Sequence, residues 1–446
     1  RGDAETVRRT EAFLRAGRLR ADLVALRTGD RFAEPVVLAP GADPPALVPG
    51  QEVQVDVVVR NQGVGHTFPG GTNDSNEGWL ELALLDESGR PMAASGHLEG
   101  DGYVDGASHF YGALLLDGDG KPIERRNAQD IRAEVYTHAI GPGTADVVRY
   151  RFQVDPGWAG RTVTLRARLL WRKFDRAYTE FAYRKNPDGF RSFDAVPELP
   201  ITEIVSDRAH LNVVRRGGEK ARAQSGRPAP LDWLRFNDYG IGLLLQGDTR
   251  AAAWAFKKVV EAAPERPDGH RNLARAAVAD GDIDTAIHHL ERCEEMHPGD
   301  PQTAWVWGKA LQEAGRYVEA AAAYERVLQD FPEDRQAWKN LGRVRYLSGT
   351  REGALEALDR ALAIDPEDRM VHYHRMLTLR ALGRRKEAVA AEAAYRKYQI
   401  DESAREVTRA FLLEHPDEER ESQPIHTHTV PVWRSDGRRL ANEAGP

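Results

Sequence analysis

Three places in this 446-residue sequence set imidazole where it could do chemistry. His66 stands in GHTFPGG (65–71), a turn rich in glycine and carrying a proline, so a demanding backbone geometry aims its ring. His109 stands in SHFYG beside two aromatic residues, and His426 and His428 form an H-x-H pair in the tail stretch SQPIHTHTVPVW. In an extended tail the two rings point to one side, which is a metal-ligating arrangement. Folded back on the rest of the chain, that tail would help to finish a site. The plainer readings are a loop hydrogen bond for His66, aromatic packing for His109 and solvent for the tail pair. Asp74 and Glu77, with Asn73 and Asn76 near them, offer the hard oxygen ligands that calcium favours, as do Asp117 and Asp119. The DGDG stretch lacks the later glutamate of an EF-hand loop and reads first as a turn.

The missing motifs narrow the chemistry. There is no G-x-S-x-G, H-E-x-x-H, P-loop or strand-following G-x-G-x-x-G, and the expectation is a protein that is not an enzyme. Cys293 is the sole cysteine, which excludes an internal disulfide, a cysteine zinc cluster and a C-x-x-C-H haem attachment in this chain. A net charge of −7 gives no general attraction to nucleic acid, and no apolar run approaches the roughly 20 residues that cross a bilayer. A start at Arg1 without a charged-then-apolar leader reads as a chain processed, or separated from an upstream part.

The elements that would carry these residues fall into two kinds. In the second half Gly247, Gly281, Gly315, Gly349 and Gly383 recur every 34 residues, and Ala252, Ala286, Ala320, Ala354 and Ala388 keep the same step. Pro264, Pro298, Pro332 and Pro366 close the units. Each unit is an amphipathic helix, a glycine turn and a second helix with a small residue at the contact. The array resembles the tetratricopeptide repeat (TPR), in five units over 231–402, the fifth degenerate at Glu392. On this register the first helices line a groove with Asn237, Arg271, Arg275, Lys309, Lys339, Arg343 and Arg380, a basic track suited to an acidic peptide or a C-terminal carboxylate.

In the first half QEVQVDVVVR, WLELALL, DVVRYRFQV and TVTLRARLLW alternate polar and apolar residues between turn compositions such as ESGRP and DGDGKP. Strands without long intervening helices predict an immunoglobulin- or fibronectin-like β-sandwich over 32–214. Residues 1–31 have helical spacing and read as a helical N-terminal segment; 215–230 read as a linker, and 403–446 as a helical cap with an extended, histidine-containing tail.

Several blocks together resemble a bacterial family of multihaem c-type cytochromes fused to TPR repeats: HTFPGG, SHFY, RNA, IGPGTAD, RKF and PIHTHTV, in that order. The resemblance implies an accessory of extracytoplasmic electron transfer, periplasmic or at the cell surface. With no C-x-x-C-H here, the haem would come from a partner cytochrome or an upstream segment, and 1–31 would be the remnant or docking element of that module. On that footing His66 is implied as a haem ligand or neighbour, with Phe68 covering the macrocycle and His109 a second candidate. The alternative is a general TPR adaptor for an acidic peptide, with the sandwich as a spacer.

Overall fold

A computed structural model describes residues 4–28, 35–38, 46–71, 75–183, 195–215, 233–399 and 402–433. The chain forms two compact units. One comprises 1–227, 241–247 and 403–446; the other comprises 228–240 and 248–402. The linker expected at 215–230 lies outside the described residues, apart from Arg215.

The first unit is a pair of sheets. β1 (Leu19–Thr28), β2 (Val36–Val37), β3 (Glu52–Asn61), β8 (Ala145–Gln153) and β11 (Thr427–Thr429) make one, in the order β11-β8-β3-β1-β2. β4 (Glu77–Leu85), β6 (His109–Leu116), β7 (Ala133–His138), β9 (Thr162–Arg172) and β10 (Thr202–Asn212) make the other, in the order β10-β9-β4-β6-β7, with β5 (Pro91–Ser95) paired to β4 and a short helix, α2 (Arg176–Tyr183), following β9. The period-two patterns set the facing surfaces: Val53, Val55, Val57 and Val59 of β3 and Leu80, Leu82 and Leu84 of β4 are fully buried in one core with Leu165 and Leu169 of β9. The Tyr150 hydroxyl on β8 donates to the Leu80 carbonyl on β4 at 3.0 Å, tying the two sheets through that core.

Two expectations change here. Among the described residues of the N-terminal segment, only Ala4–Leu14 (α1) is helical, stitched by Glu5 to Arg8 and Arg9. The stretch LRADLVALRT is β1, antiparallel to β3 from Leu19↔Asn61 to Thr28↔Val53. Its Leu, Ala and Val suit both periods, and the exposed edge of β3 decides the outcome. The sandwich therefore begins well before residue 32.

Nor is the tail a loose end. After α13 (Glu402–Glu414) and α14 (Pro416–Glu421), β11 runs parallel to β8 with His428 opposite Tyr150, and Val430 and Val432 enter the sandwich core. Phe411, Val407 and Leu412 of α13 pack on Leu116 of β6 and Ala133 of β7.

The second unit is a run of antiparallel helix pairs: α3 (Trp233–Leu245), which belongs to this unit over 233–240, with α4 (Thr249–Ala262), α5 (Pro267–Asp280) with α6 (Ile283–Met296), and α7 (Pro301–Glu313) with α8 (Tyr317–Asp330). α9 (Arg335–Leu347) with α10 (Arg351–Ile364) and α11 (Arg369–Ala381) with α12 (Arg385–Lys397) complete it. Aspartates open many of the helices: the Asp300 and Asp334 side chains accept from the Thr303 and Ala337 amides. Gly281 ends α5 at φ +82°, the left-handed turn that the 34-residue glycine pattern predicts.

Candidate functional site

The GHTFPGG turn lies at the end of β3, and Asn61 braces it. That fully buried side chain donates to the His66 and Ile140 carbonyls at 3.0 and 3.1 Å and accepts from the Val64 amide at 2.9 Å. The Phe68–Pro69 peptide is cis. The exposed ring of His66 has its Nδ1 2.7 Å from the Thr67 carbonyl, so Nδ1–H donates and Nε2 is left as the free lone pair. Gly70 gives the ring its room, since a Cβ there would fall 2.5 Å from His66 Cε1. His66 borders a cavity of about 530 Å³ walled by Phe13, Leu14, Leu19, Val64 and Trp171, with Arg18 and Thr67 adding polar side chains to its lining.

Phe68 does not stand out as a cover. Its ring belongs to the sandwich core, 6.2 Å from Tyr111, and its backbone pairs with Ile140 at 2.9 and 2.8 Å, so it forms part of the cavity wall. An apolar ring beside a strand pair is more stable buried than laid against solvent.

His109 and the tail pair come together elsewhere in this unit. His109 on β6 is 3% exposed, its Nδ1 3.1 Å from Nε2 of the equally buried His428. His426 packs against both rings, at 5.4 Å from His109 and 4.6 Å from His428, and its Nε2 lies 2.9 Å from Glu421 Oε2 at the end of α14. His138 at the end of β7 stacks on His109 at 5.2 Å and 16°. Its Nδ1 is 3.3 Å from the Phe110 carbonyl and its Nε2 2.8 Å from the Glu421 carbonyl. Asp146 of β8 lies 3.2 Å from His109 Nε2 and accepts from the Tyr111 hydroxyl at 3.0 Å.

Electrostatics sorts these groups. Burial, followed by the other rings, pushes His428 well below the ordinary imidazole range and takes His138 down to about 4. Burial opposes the charged forms of His426 and Glu421 too, but their mutual attraction outweighs it, raising His426 and lowering Glu421. At neutral pH the pocket thus holds neutral His428 and His138 beside an ionised Glu421. His138, Asp146 and Glu421 escaped the sequence reading, although Asp146 closes the IGPGTAD block. What connects them is strand pairing, which no local spacing reports.

The calcium candidates part company. Asp74 lies outside the described residues. Glu77 is held by Arg172, which also donates to the Gly102 carbonyl at 2.9 Å, so its carboxylate is engaged within the sheet. Asp117 accepts from the Asp119 and Lys121 amides, both at 2.9 Å, and closes the turn after β6, while Asp119 stays at its tip.

In the array, many of the basic groove residues have internal partners. Arg271 meets Asp300 at 2.8 Å, Lys339 meets Asp368 at 3.0 Å, Arg380 meets Glu392 at 2.6 Å, and Asn237 accepts from Asn272 at 2.8 Å. Two of these acids are the aspartates that cap the next unit's first helix, so part of the track is repeat-to-repeat mortar. Arg275, Lys309 and Arg343, one per unit at 34-residue steps, have no carboxylate partner among the described residues.

The two units define a β-sandwich protein bearing a TPR array. Tetratricopeptide repeat family descriptions match residues 243–304 and 306–369. Protein O-mannosyl-transferase TMTC1 from Mus musculus is 24% identical over 133 residues, covering 29% of this chain and 14% of the mouse protein. The Homo sapiens protein is 23% identical over 133 residues, and the match spans only 15% of its length. Among solved structures, MamA from Desulfovibrio magneticus RS-1 is 20% identical, with a TM-score of 0.34, covering 40% of this chain and 96% of that one. Pseudomonas aeruginosa PilF is 18% identical, with a TM-score of 0.36, over 41% of this chain and 90% of that one. TPR repeats are present, and they make the array a scaffold for protein–protein contacts.

Proposed function

We propose that this protein is a non-catalytic accessory of an extracytoplasmic electron-transfer assembly, in which the array grips protein partners and the cavity beside His66 receives the exposed edge of a haem. That haem belongs to a multihaem c-type cytochrome, either a partner chain or a segment upstream. One observation carries the reading: an imidazole whose Nδ1 is anchored to a backbone carbonyl, leaving Nε2 open, stands beside an apolar cavity of about 530 Å³. Anchoring of one ring nitrogen is how ligating histidines are oriented. The residues fit the group: Phe13, Leu14 and Trp171 offer apolar walls to a macrocycle, Arg18 offers a guanidinium to a propionate, and His66 offers an axial nitrogen. Haem supplies the one-electron chemistry; this chain holds, orients and shields.

A second reading has its own support. The three groove cations without carboxylate partners, Arg275, Lys309 and Arg343, form a ladder for an acidic peptide or C-terminus, which makes the protein a general adaptor.

One experiment separates the two readings. Complexes with a co-purifying multihaem cytochrome are compared by haem absorption and low-temperature EPR for wild type, His66→Ala, Gly70→Ala and Arg275→Ala/Arg343→Ala. The haem reading expects changed ligand-field signatures in the first two variants and unchanged ones in the third. Spectra that His66→Ala leaves unaltered would remove the haem role, and partner loss confined to the arginine variant would establish the adaptor.

A further inference from the structure

The histidine pocket lies outside that reading and stands without it. One donor atom from each of His109, Glu421, His426 and His428 falls within 4.8 Å of the others. Two edges of this group already have the size a metal would impose: His109 Nδ1 to His428 Nε2 is 3.1 Å and His426 Nε2 to Glu421 Oε2 is 2.9 Å. A tetrahedral zinc site with bonds of about 2.0 to 2.1 Å spaces its donors by roughly 3.3 Å. We propose that His109, His426, His428 and Glu421 form a binding site for a divalent transition-metal ion of the zinc type, which fastens the C-terminal tail to the sandwich.

Three further features favour a cation over simple packing. His426 Nε2, the nitrogen aimed at the group, is buried and lacks an aligned hydrogen-bond partner, a cost that folding does not leave without a use. The opposite ring nitrogens face oxygen: Asp146, steadied by Tyr111, stands 3.2 Å from His109 Nε2, and the Gln423 carbonyl is 3.1 Å from His426 Nδ1. That is the outer arrangement that orients metal-bound imidazoles. Finally, three imidazoles and one carboxylate suit zinc-like ions better than calcium or magnesium, which take mainly oxygen ligands.

Four protein ligands make a closed site, so its role is structural. The ligands come from β6, the end of α14, the segment before β11 and β11 itself. Loading would therefore draw the tail against the sheet that carries His109.

The test uses the full chain, stripped with a chelator and dialysed, then titrated with zinc ions alone and, separately, with cobalt ions. Expected are one saturable equivalent by calorimetry, a higher melting temperature, and the visible absorption of tetrahedral cobalt. His426→Gln and Glu421→Gln, chosen because they are less buried than His109 and His428, should weaken binding by about 100-fold or more while circular dichroism stays native. His138→Gln, in the same stack but with both nitrogens facing carbonyls, should leave affinity nearly unchanged. Lack of a saturable equivalent in the wild type, or zinc binding that both His426→Gln and Glu421→Gln retain, would overturn the proposal and leave a hydrogen-bonded histidine stack in its place.

Discussion

At the scale of single residues, the GHTFPGG turn depends on a side chain that precedes it. Asn61 satisfies three backbone groups across two loop segments from a fully buried position; its removal strands the Val64 amide and the His66 carbonyl, while the Ile140 carbonyl keeps the Phe68 amide. Asn61→Ala should cost about 2 to 4 kcal/mol, the scale of a lost buried polar network. Chemical denaturation measures it, and a loss below about 0.5 kcal/mol, the level of an ordinary surface change, would show that the turn is self-supporting. The sequence announces His66 through its neighbours, since glycine and proline punctuate the chain visibly. It conceals Asn61, because an asparagine at a strand end looks like any turn former. His109 shows the same limit: SHFYG marks the ring as partly buried among aromatics, while its contact with His428 spans 319 positions.

At the scale of elements, the helix pairs rest on close approach at small residues. A Cβ on Gly308 of α7 would sit 2.6 Å from the Tyr324 ring of α8, so the pair meets through a residue without a side chain. Gly308→Ala raises intrinsic helix propensity by about 1 kcal/mol. Overpacking of a tight contact costs typically 1 to 3 kcal/mol, and the buried, aromatic neighbour cannot swing away. The net expectation is a loss of up to about 2 kcal/mol, read as a lower melting temperature of the array; an unchanged or higher one would mean that Tyr324 yields. The array was legible because its period of 34 repeats the same local signals five times. β1 was not, because its leucines and alanines satisfy helix and strand periods alike and the choice is made by β3. The fate of α13 and β11 was likewise settled by tertiary partners, Leu116 and Ala133 for the one and β8 for the other.

At the scale of the whole molecule, fourteen histidines share a chain of net charge −7, and their burial makes stability a function of pH. In the array, burial, then neighbouring Arg343 and Lys339 against the weaker pull of Asp368, takes His374 down to about 4. Burial, then His270, His288 and Lys257, does the same to His289, whose Nδ1 lies 3.0 Å from Nδ1 of His270. The unfolded chain, with ordinary imidazoles near 6.5, binds more protons than the folded array between about 4 and 6.5. Stability therefore rises with pH across that window. These two rings contribute fully above about 6.5, and their contribution is lost as the pH falls through it towards 4. Acidic groups such as Asp368, held below the usual range by Lys339 and the Val371 amide against the effect of burial, lose their own contribution only at lower pH. Melting of the full chain, stripped of metal and followed from pH 7.5 to 5, should thus show a progressive decline. His374→Gln and His289→Gln together should flatten that decline while lowering stability at pH 7.5 only modestly, because glutamine keeps a polar side chain of similar reach without the proton uptake. An equally steep decline in the double variant would assign the acid sensitivity to other groups.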